Sequence, residues 1–357
     1  MAGGERINRE RAKAALDNLI RISRIHFYKP IQIAEILYHK RCVNPSLNLS
    51  DKEEYRTVSK KWRDDVSIEL LGRKCTSSAR FQDDLFNENA IPPQILEVLG
   101  EENNRTGGAV EAYIYRCFIR KHGQLSEALD YCLKSTKNDF DVKKLIDSFR
   151  EEAGLKRSLD KLYEIIVYAL FSTIIDVLDV TVQVSIDEQK MDIVKEFEDF
   201  TKSVICIDLS KPVNVQKAKV YRVGVTNAAD RGLDMYANWG PAIQIKHLSL
   251  DEELAEDITE SISSDKIIIV CKSAEKKVIL SLLTQIGWKS RIQSIVTEDD
   301  LVEWYEKALR GKYSEQMGNK LIGTLIEEIS EEFPSLDTQS KILSSRHYEK
   351  IQDDFWK

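Results

Sequence analysis

The spacing of apolar and polar residues divides the chain into a helical first part and a second part in which strands and helices alternate. Ala15, Leu16, Leu19, Ile20 and Ile22 recur at helical spacing between Arg11 and Arg24, and Lys29-Pro30 ends that segment. A second helix is expected over 31 to 39. Ser50 with Glu53 three residues on has the form of a capping box for a third, which carries Arg56, Lys60, Lys61, Trp62 and Arg63. Pro92-Pro93 and the stretch from Gly100 to Gly108 punctuate the chain before helical spacing returns over 109 to 121 and 125 to 134.

A long apolar helix is expected over 156 to 180, with Ser158 as its cap. Period-two alternation marks a strand over 181 to 186, an acidic helix follows over 191 to 201, and further strands are expected over 204 to 207 and 219 to 226. Then come a helix over 249 to 264, a β-branched strand over 266 to 271, an apolar helix over 275 to 286 and a strand over 291 to 296. Polar-rich helical segments run from about 300 to the end. This order predicts an α/β (α+β) protein, a mixed β-sheet core flanked by helices with a mostly helical N-terminal region. The expected division is a helical region over 1–150, a core over 151–300 and a helical C-terminal region over 301–357.

Composition changes this picture little. Ile165 to Val180 is interrupted by Ser172, Thr173, Asp176 and Asp179, short of the roughly 18 clean apolar residues of a membrane span. The N-terminus has no apolar signal core, so the cytoplasm is the expected compartment and no membrane partner is expected. Six cysteines stand singly with no Cys-x-x-Cys spacing, which favours reduced, packed thiols over zinc or disulfides. A net charge of -7 argues against a polyanionic partner, yet residues 1 to 90 hold 17 Lys and Arg against 13 Asp and Glu. Any surface for a polyanion is therefore expected in the N-terminal region.

The chemistry concentrates in Gly232 to His247. Trp239-Gly240-Pro241 supplies a turn, and alternation over 242 to 246 places Gln244 and Lys246 on one strand face with Ile243 and Ile245 on the other. A hairpin closing symmetrically about Gly240 would set Asp234 across from Lys246. A carboxylate beside an ammonium and an amide on one sheet face suits a Mg²⁺ and phosphate site, whereas the bland reading is an exposed cross-strand ion pair worth under about 1 kcal/mol.

The order helix, strands, Asp-bearing hairpin with a Gln-x-Lys arm, helix, strand resembles the PD-(D/E)xK nuclease fold. Nine residues separate Asp234 from Gln244. More specifically, the sequence resembles the HaeII-type type II restriction endonucleases in five blocks: 29–35, 59–64, 227–235, 242–247 and 284–291. The resemblance implies a restriction-endonuclease-like core and Mg²⁺-dependent hydrolysis of both strands of double-stranded DNA. It further implies a short GCGC-centred palindrome (purine-GCGC-pyrimidine), a homodimer to match the palindrome, and a cognate DNA methyltransferase in the same system.

In that scheme Asp234 ligates the metal, Gln244 offers a neutral oxygen where the superfamily usually has an acid, and the Ile245 carbonyl completes the shell. Lys246 orients or deprotonates the attacking water and stabilises the transition state. The missing second acid is sought at Glu164, with Asp230 and Glu198 as alternatives. His247 falls on the opposite face as a packed residue. For DNA, Lys60, Lys61, Arg63, Arg73, Lys74, Ser77, Arg80 and Gln82 are candidate readers of bases or holders of phosphate, and Asn227, Arg231 and Asn238 flank the site as phosphate contacts. Two other readings remain open: a structure-specific repair or recombination nuclease of the same fold, and a DNA-binding protein that has lost catalysis.

Overall fold

The computed structural model describes residues 8–74, 83–152, 155–223, 233–284, 291–333 and 344–357. The chain forms two compact units. One comprises Met1–Lys134, Lys144–Leu159 and Ile329–Lys357, the other Ser135–Lys143 and Asp160–Glu328.

The first unit is helical. Helices Arg9–Ile22, Tyr28–Tyr38, Val58–Leu71, Pro93–Arg105 and Ala109–Lys134 bury Leu16, Leu19, Ile33, Leu37, Leu99 and Ile114 in one core. Asn8 caps the first helix by accepting from Arg11 N at 2.9 Å. The expected Ser50 cap is instead made by Asp51, which accepts from Glu53 N at 3.0 Å, while Ser50 Oγ donates to Glu97. Asp and Ser cap about equally well, and one residue of displacement is within the usual blur of helix ends; Asp51 caps the short helix Lys52–Tyr55, and Val58–Leu71, which carries Lys60 to Arg63, starts separately without a side-chain cap.

The end of the chain differs from the polar helix expected there. Residues 344–357 make two short 3₁₀ turns, Tyr348–Lys350 and Asp354–Trp356, and put Tyr348 and Trp356 into the helical core. Arg116 holds this tail by donating to the carbonyls of Ile351 and Trp356 at 2.8 and 2.7 Å. Two buried aromatic anchors outweigh the polar majority around them.

The second unit holds the sheet. Strands β1 (Thr181–Ser185) and β2 (Val213–Lys217) pair antiparallel and, among the described residues, with each other alone. β3 (Val220–Arg222), β4 (Met235–Ala237), β5 (Ala242–Leu250), β6 (Ile267–Ala274) and β7 (Ile292–Thr297) form a five-stranded sheet in that order. The β3–β4–β5 pairings are antiparallel and the β5–β6–β7 pairings parallel, so the sheet is mixed, as the element order predicts. The strand expected over 204 to 207 is instead a π-helical turn, Thr201–Ile205, and β2 lies in a segment whose polar residues conceal its Val213 and Val215 alternation.

β5 is the middle strand, and Ala242 to Ile245 are buried. Ile267, Ile269 and Cys271 of β6 join Ala255 and Ile258 of helix Glu252–Ser261 in the core beside it. Helix Leu159–Val177 buries Leu162, Tyr163, Ile165, Ile166, Val167, Ala169 and Leu170, so it is apolar nearly all round, and Tyr305 of helix Glu298–Arg310 donates to its Ile166 carbonyl at 2.9 Å. Among the described residues no helix is long and apolar enough to cross a membrane.

Candidate active site

The hairpin closes about Trp239, one residue before the expected Gly240, which moves each cross-strand partner by two. Met235 pairs with Ile243 and Tyr236 with Ala242, and Ala237 N donates to the Pro241 carbonyl at 2.9 Å. Extending that register sets Asp234 across from Gln244, with Lys246 two residues further along. An even shift preserves the parity of side-chain direction, so Asp234, Gln244 and Lys246 still share a face. The reason is local: Pro241 is itself hydrogen-bonded through its carbonyl, and the turn is centred on Trp239.

Asp234 is half-buried, and its Oδ2 accepts from Ile245 N at 2.7 Å. Burial raises its carboxyl above the usual range, opposed by that backbone hydrogen bond and by the charges of Lys246 and Lys161. Gln244 is 2% exposed, and its buried Oε1 has no hydrogen-bond partner among the described residues. A buried amide oxygen left unpaired costs on the order of 1–3 kcal/mol, which makes it a site to explain rather than a packing detail.

Glu164 lies on helix Leu159–Val177, 5% exposed. Burial pushes its carboxyl up to about 7; the ammonium of Lys161 opposes the shift, and the charge of Asp234 adds to it. Lys161 Nζ donates to both Glu164 oxygens at 2.7 Å. The guanidinium of Arg222, on β3 next to β4, acts on Glu164 in the same direction as Lys161. The structure therefore brings Glu164 into the electrostatic neighbourhood of Asp234. Sequence reading had passed over Lys161 and Arg222, although the i, i+3 spacing of Lys161 and Glu164 was visible.

β5 loses its regular pairing with β6 between Lys246 and Ser249, a bulge immediately after the lysine. His247 sits in that irregular stretch, about one-third exposed, with Nδ1 paired to Asp160. It is tied to the start of the Glu164 helix rather than packed in a core. Among the described residues no group of three or more His, Cys, Asp and Glu side chains is placed to hold a metal. Asp234 and Gln244 share a strand face and Glu164 feels the charge of Asp234; two carboxylates and one amide are a donor set suited to a hard divalent cation, and Gln244 Oε1 is the atom such an ion would satisfy.

The family model described as HaeII restriction endonuclease matches residues 12–348. The chain belongs to the HaeII restriction endonuclease family. It is 54% identical over 344 residues to the type II restriction enzyme HaeII of Haemophilus aegyptius, covering 96% of this chain and 97% of that protein. With the type II restriction enzyme NgoBI of Neisseria gonorrhoeae it shares 51% identity over 337 residues, 94% of this chain and 95% of the other. No solved structure matches. As a member of the HaeII family the chain is classed with the type II site-specific deoxyribonucleases, enzymes that act on DNA and generally use divalent metal ions.

The candidate DNA-binding residues of this HaeII-family chain separate by burial. Arg63 is fully buried in the first unit, where it donates to Asp64 at 2.8 and 2.6 Å and to Gln32 at 3.1 Å. It braces the helix and cannot reach a base. Arg73 is half-buried and donates to the Glu332 carbonyl at 2.6 Å and to His26. Lys61 and Lys74 are exposed and Lys60 half-buried. Asn238 engages both ends of its amide internally, accepting from Lys219 N and donating to the Lys217 carbonyl, both at 2.9 Å, so it clamps the hairpin to the link between β2 and β3. Glu198 is exposed on the short helix Glu198–Phe200. Ser77, Arg80, Gln82, Asn227, Asp230 and Arg231 lie outside the described residues.

Proposed function

We propose that this chain is a Mg²⁺-dependent type II restriction endonuclease that cuts both strands of DNA at a purine-GCGC-pyrimidine palindrome. It acts in the cytoplasm as a homodimer, alongside a cognate DNA methyltransferase that protects the host sites. The single observation that carries the site assignment is the unpartnered, buried Gln244 Oε1 on the strand that also bears Lys246, opposite Asp234. An oxygen kept out of water without a partner is best accounted for by a ligand absent from the free protein.

Asp234, Gln244 Oε1, the Ile245 carbonyl and Glu164 would hold the cation. When bound, Mg²⁺ neutralises charge on the scissile phosphate and acidifies a water. The rest falls to the chain. The Ile245 N–H holds the Asp234 carboxylate in one orientation. Lys246 orients the attacking water, and its ammonium meets the negative charge that builds on the phosphorus oxygens. The water oxygen forms the new bond to phosphorus, the bond to the leaving sugar oxygen breaks, the proton of the water passes to solvent, and the leaving oxygen takes a proton from solvent. Lys161 keeps Glu164 ionised enough to serve by sitting on both of its oxygens.

Digestion of plasmid DNA with Mg²⁺, followed by run-off sequencing of the ends, tests the reading. Discrete fragments ending within purine-GCGC-pyrimidine are expected. A smear, or cutting governed by DNA structure, would point to a repair nuclease; specific binding in EDTA with no cutting in Mg²⁺ or Mn²⁺ would point to a binding protein.

A further inference from the structure

Residues 178–219 of the second unit have almost no interior. Among the described residues β1 and β2 pair only with each other, and a lone two-stranded sheet is marginally stable in water. Among these residues only Val194, Thr201, Ile207 and Ala218 are buried. Leu178, Ile193, Phe197, Phe200, Val204 and Val215 are each more than half exposed. An apolar groove of about 490 Å³ runs through the patch, walled chiefly by Ile186, Ile193, Val194, Phe197, Phe200 and Ile205. Scattered exposed apolar residues are ordinary, but a contiguous cluster with a groove marks an interaction surface.

Charge tells what fits there. Residues 187–199 carry six Asp and Glu against two Lys, and residues 200–219 carry four Lys against one Asp. A phosphate backbone has no attraction for an apolar groove with an acidic flank. A surface with an acidic half and a basic half is complementary to itself when turned through a twofold axis, which is what an isologous contact requires.

We propose that residues 178–219 form a dimerisation arm whose apolar groove receives the same arm of a second copy, the acidic half of each lying against the basic half of the other. This rests on the homodimer reading above and adds the surface that makes it. The arm then gains from its partner the core that it lacks within one chain.

Light scattering on the full-length protein, run beside a plasmid digest, tests the arm. The wild type is expected near 82 kDa, twice the chain mass of 41.0 kDa, and Phe197→Asp with Phe200→Asp is expected at 41.0 kDa with unchanged far-UV circular dichroism. Should that variant misfold, the charge variants decide: Glu196→Lys with Asp199→Lys, and Lys202→Glu with Lys211→Glu, are each expected as monomers, and their equimolar mixture as a dimer. A monomeric wild type, variants that stay dimeric, or a mixture that fails to pair would each overturn the arm. If those variants stay dimeric and still cut, the arm falls and the endonuclease reading stands. If the wild type dimerises through the arm yet cuts no plasmid, the arm stands and the endonuclease reading falls.

Discussion

Each unit buries carboxylates, but they are treated differently. In the first unit Glu35 is 1% exposed and accepts from Arg346 at 2.6 and 3.0 Å and from Tyr115 at 2.6 Å. Glu111, fully buried, accepts from Arg41 at 2.9 and 2.7 Å, from Asn103 at 2.5 Å and from Tyr348 at 2.8 Å. Every oxygen is satisfied, and the partners come from distant parts of the chain, including its end. In the second unit, among the described residues, Glu164 is held by one local lysine, Asp234 by one backbone N–H, and Gln244 Oε1 by nothing. Burial of charge alone does not mark a site, and an unpartnered atom alone does not either, since Tyr55 Oη, Ser67 Oγ and Trp356 Nε1 of the first unit are also unpartnered among the described residues; the two together, beside a lysine on the same strand face, do. The first cluster is a finished structural network, and the second is arranged around something the chain does not itself supply.

The difference predicts opposite responses to mutation. The largest is expected for Asp234→Ala and Lys246→Ala, which should lower plasmid cleavage by about 10³-fold or more while leaving the melting temperature within a few degrees of wild type; undiminished cutting would remove these residues from the site. Arg346→Ala should do the reverse. Leaving Glu35 buried without its cation is expected to cost about 3 kcal/mol in urea unfolding, with little change in cleavage per folded molecule. A large loss of cleavage at full stability would mean the first cluster is not merely structural.

Glu164→Gln is expected to stabilise the metal-free protein. The Glu164 carboxyl titrates at about 7 in the fold against 4.5 as its ordinary value. Between those values the folded state holds a proton that the unfolded state has lost, so stability falls as pH rises from 4.5 to 7 and stays lower above it. At pH 8 the variant should therefore be more stable by on the order of 2 kcal/mol, and below about pH 4.5 the two should coincide. Mg²⁺ should raise the melting temperature of wild type more than that of the variant. Equal melting curves across pH would refute a strained Glu164. The smallest effects belong to Lys61→Ala and Lys74→Ala, each expected to weaken DNA binding by less than about tenfold and to reduce the salt dependence by roughly one ion. Salt titration of binding measures it.

Much of the sheet unit was legible because β-branched runs and period-two alternation are strong local signals: β5, β6 and β7 fall where the pattern puts them. Asp234, Gln244 and Lys246 were legible as a group for the same reason. The register was not, because turn length depends on how Pro241 closes the hairpin rather than on its distance from Gly240. Arg63 misled because a lone arginine in a sequence is taken as solvated, whereas its partner Gln32 lies 31 residues away and only the fold brings them together. The tail beyond residue 344 misled in the converse way, since two aromatic anchors count for more than the charged residues between them. Lys161 was overlooked because its partner had been assigned to the metal alone.

The hairpin register bears on how the loop of this enzyme can vary. Because Asp234 and Lys246 are brought to one side by the pairing of Met235 with Ile243 and Tyr236 with Ala242, a change of loop length taken up beyond those pairs leaves both on the same side, whereas a slip of one residue in the pairing itself would turn the aspartate away. The turn is thus free to vary in length, and what the site cannot tolerate is an odd slip of one strand along the other.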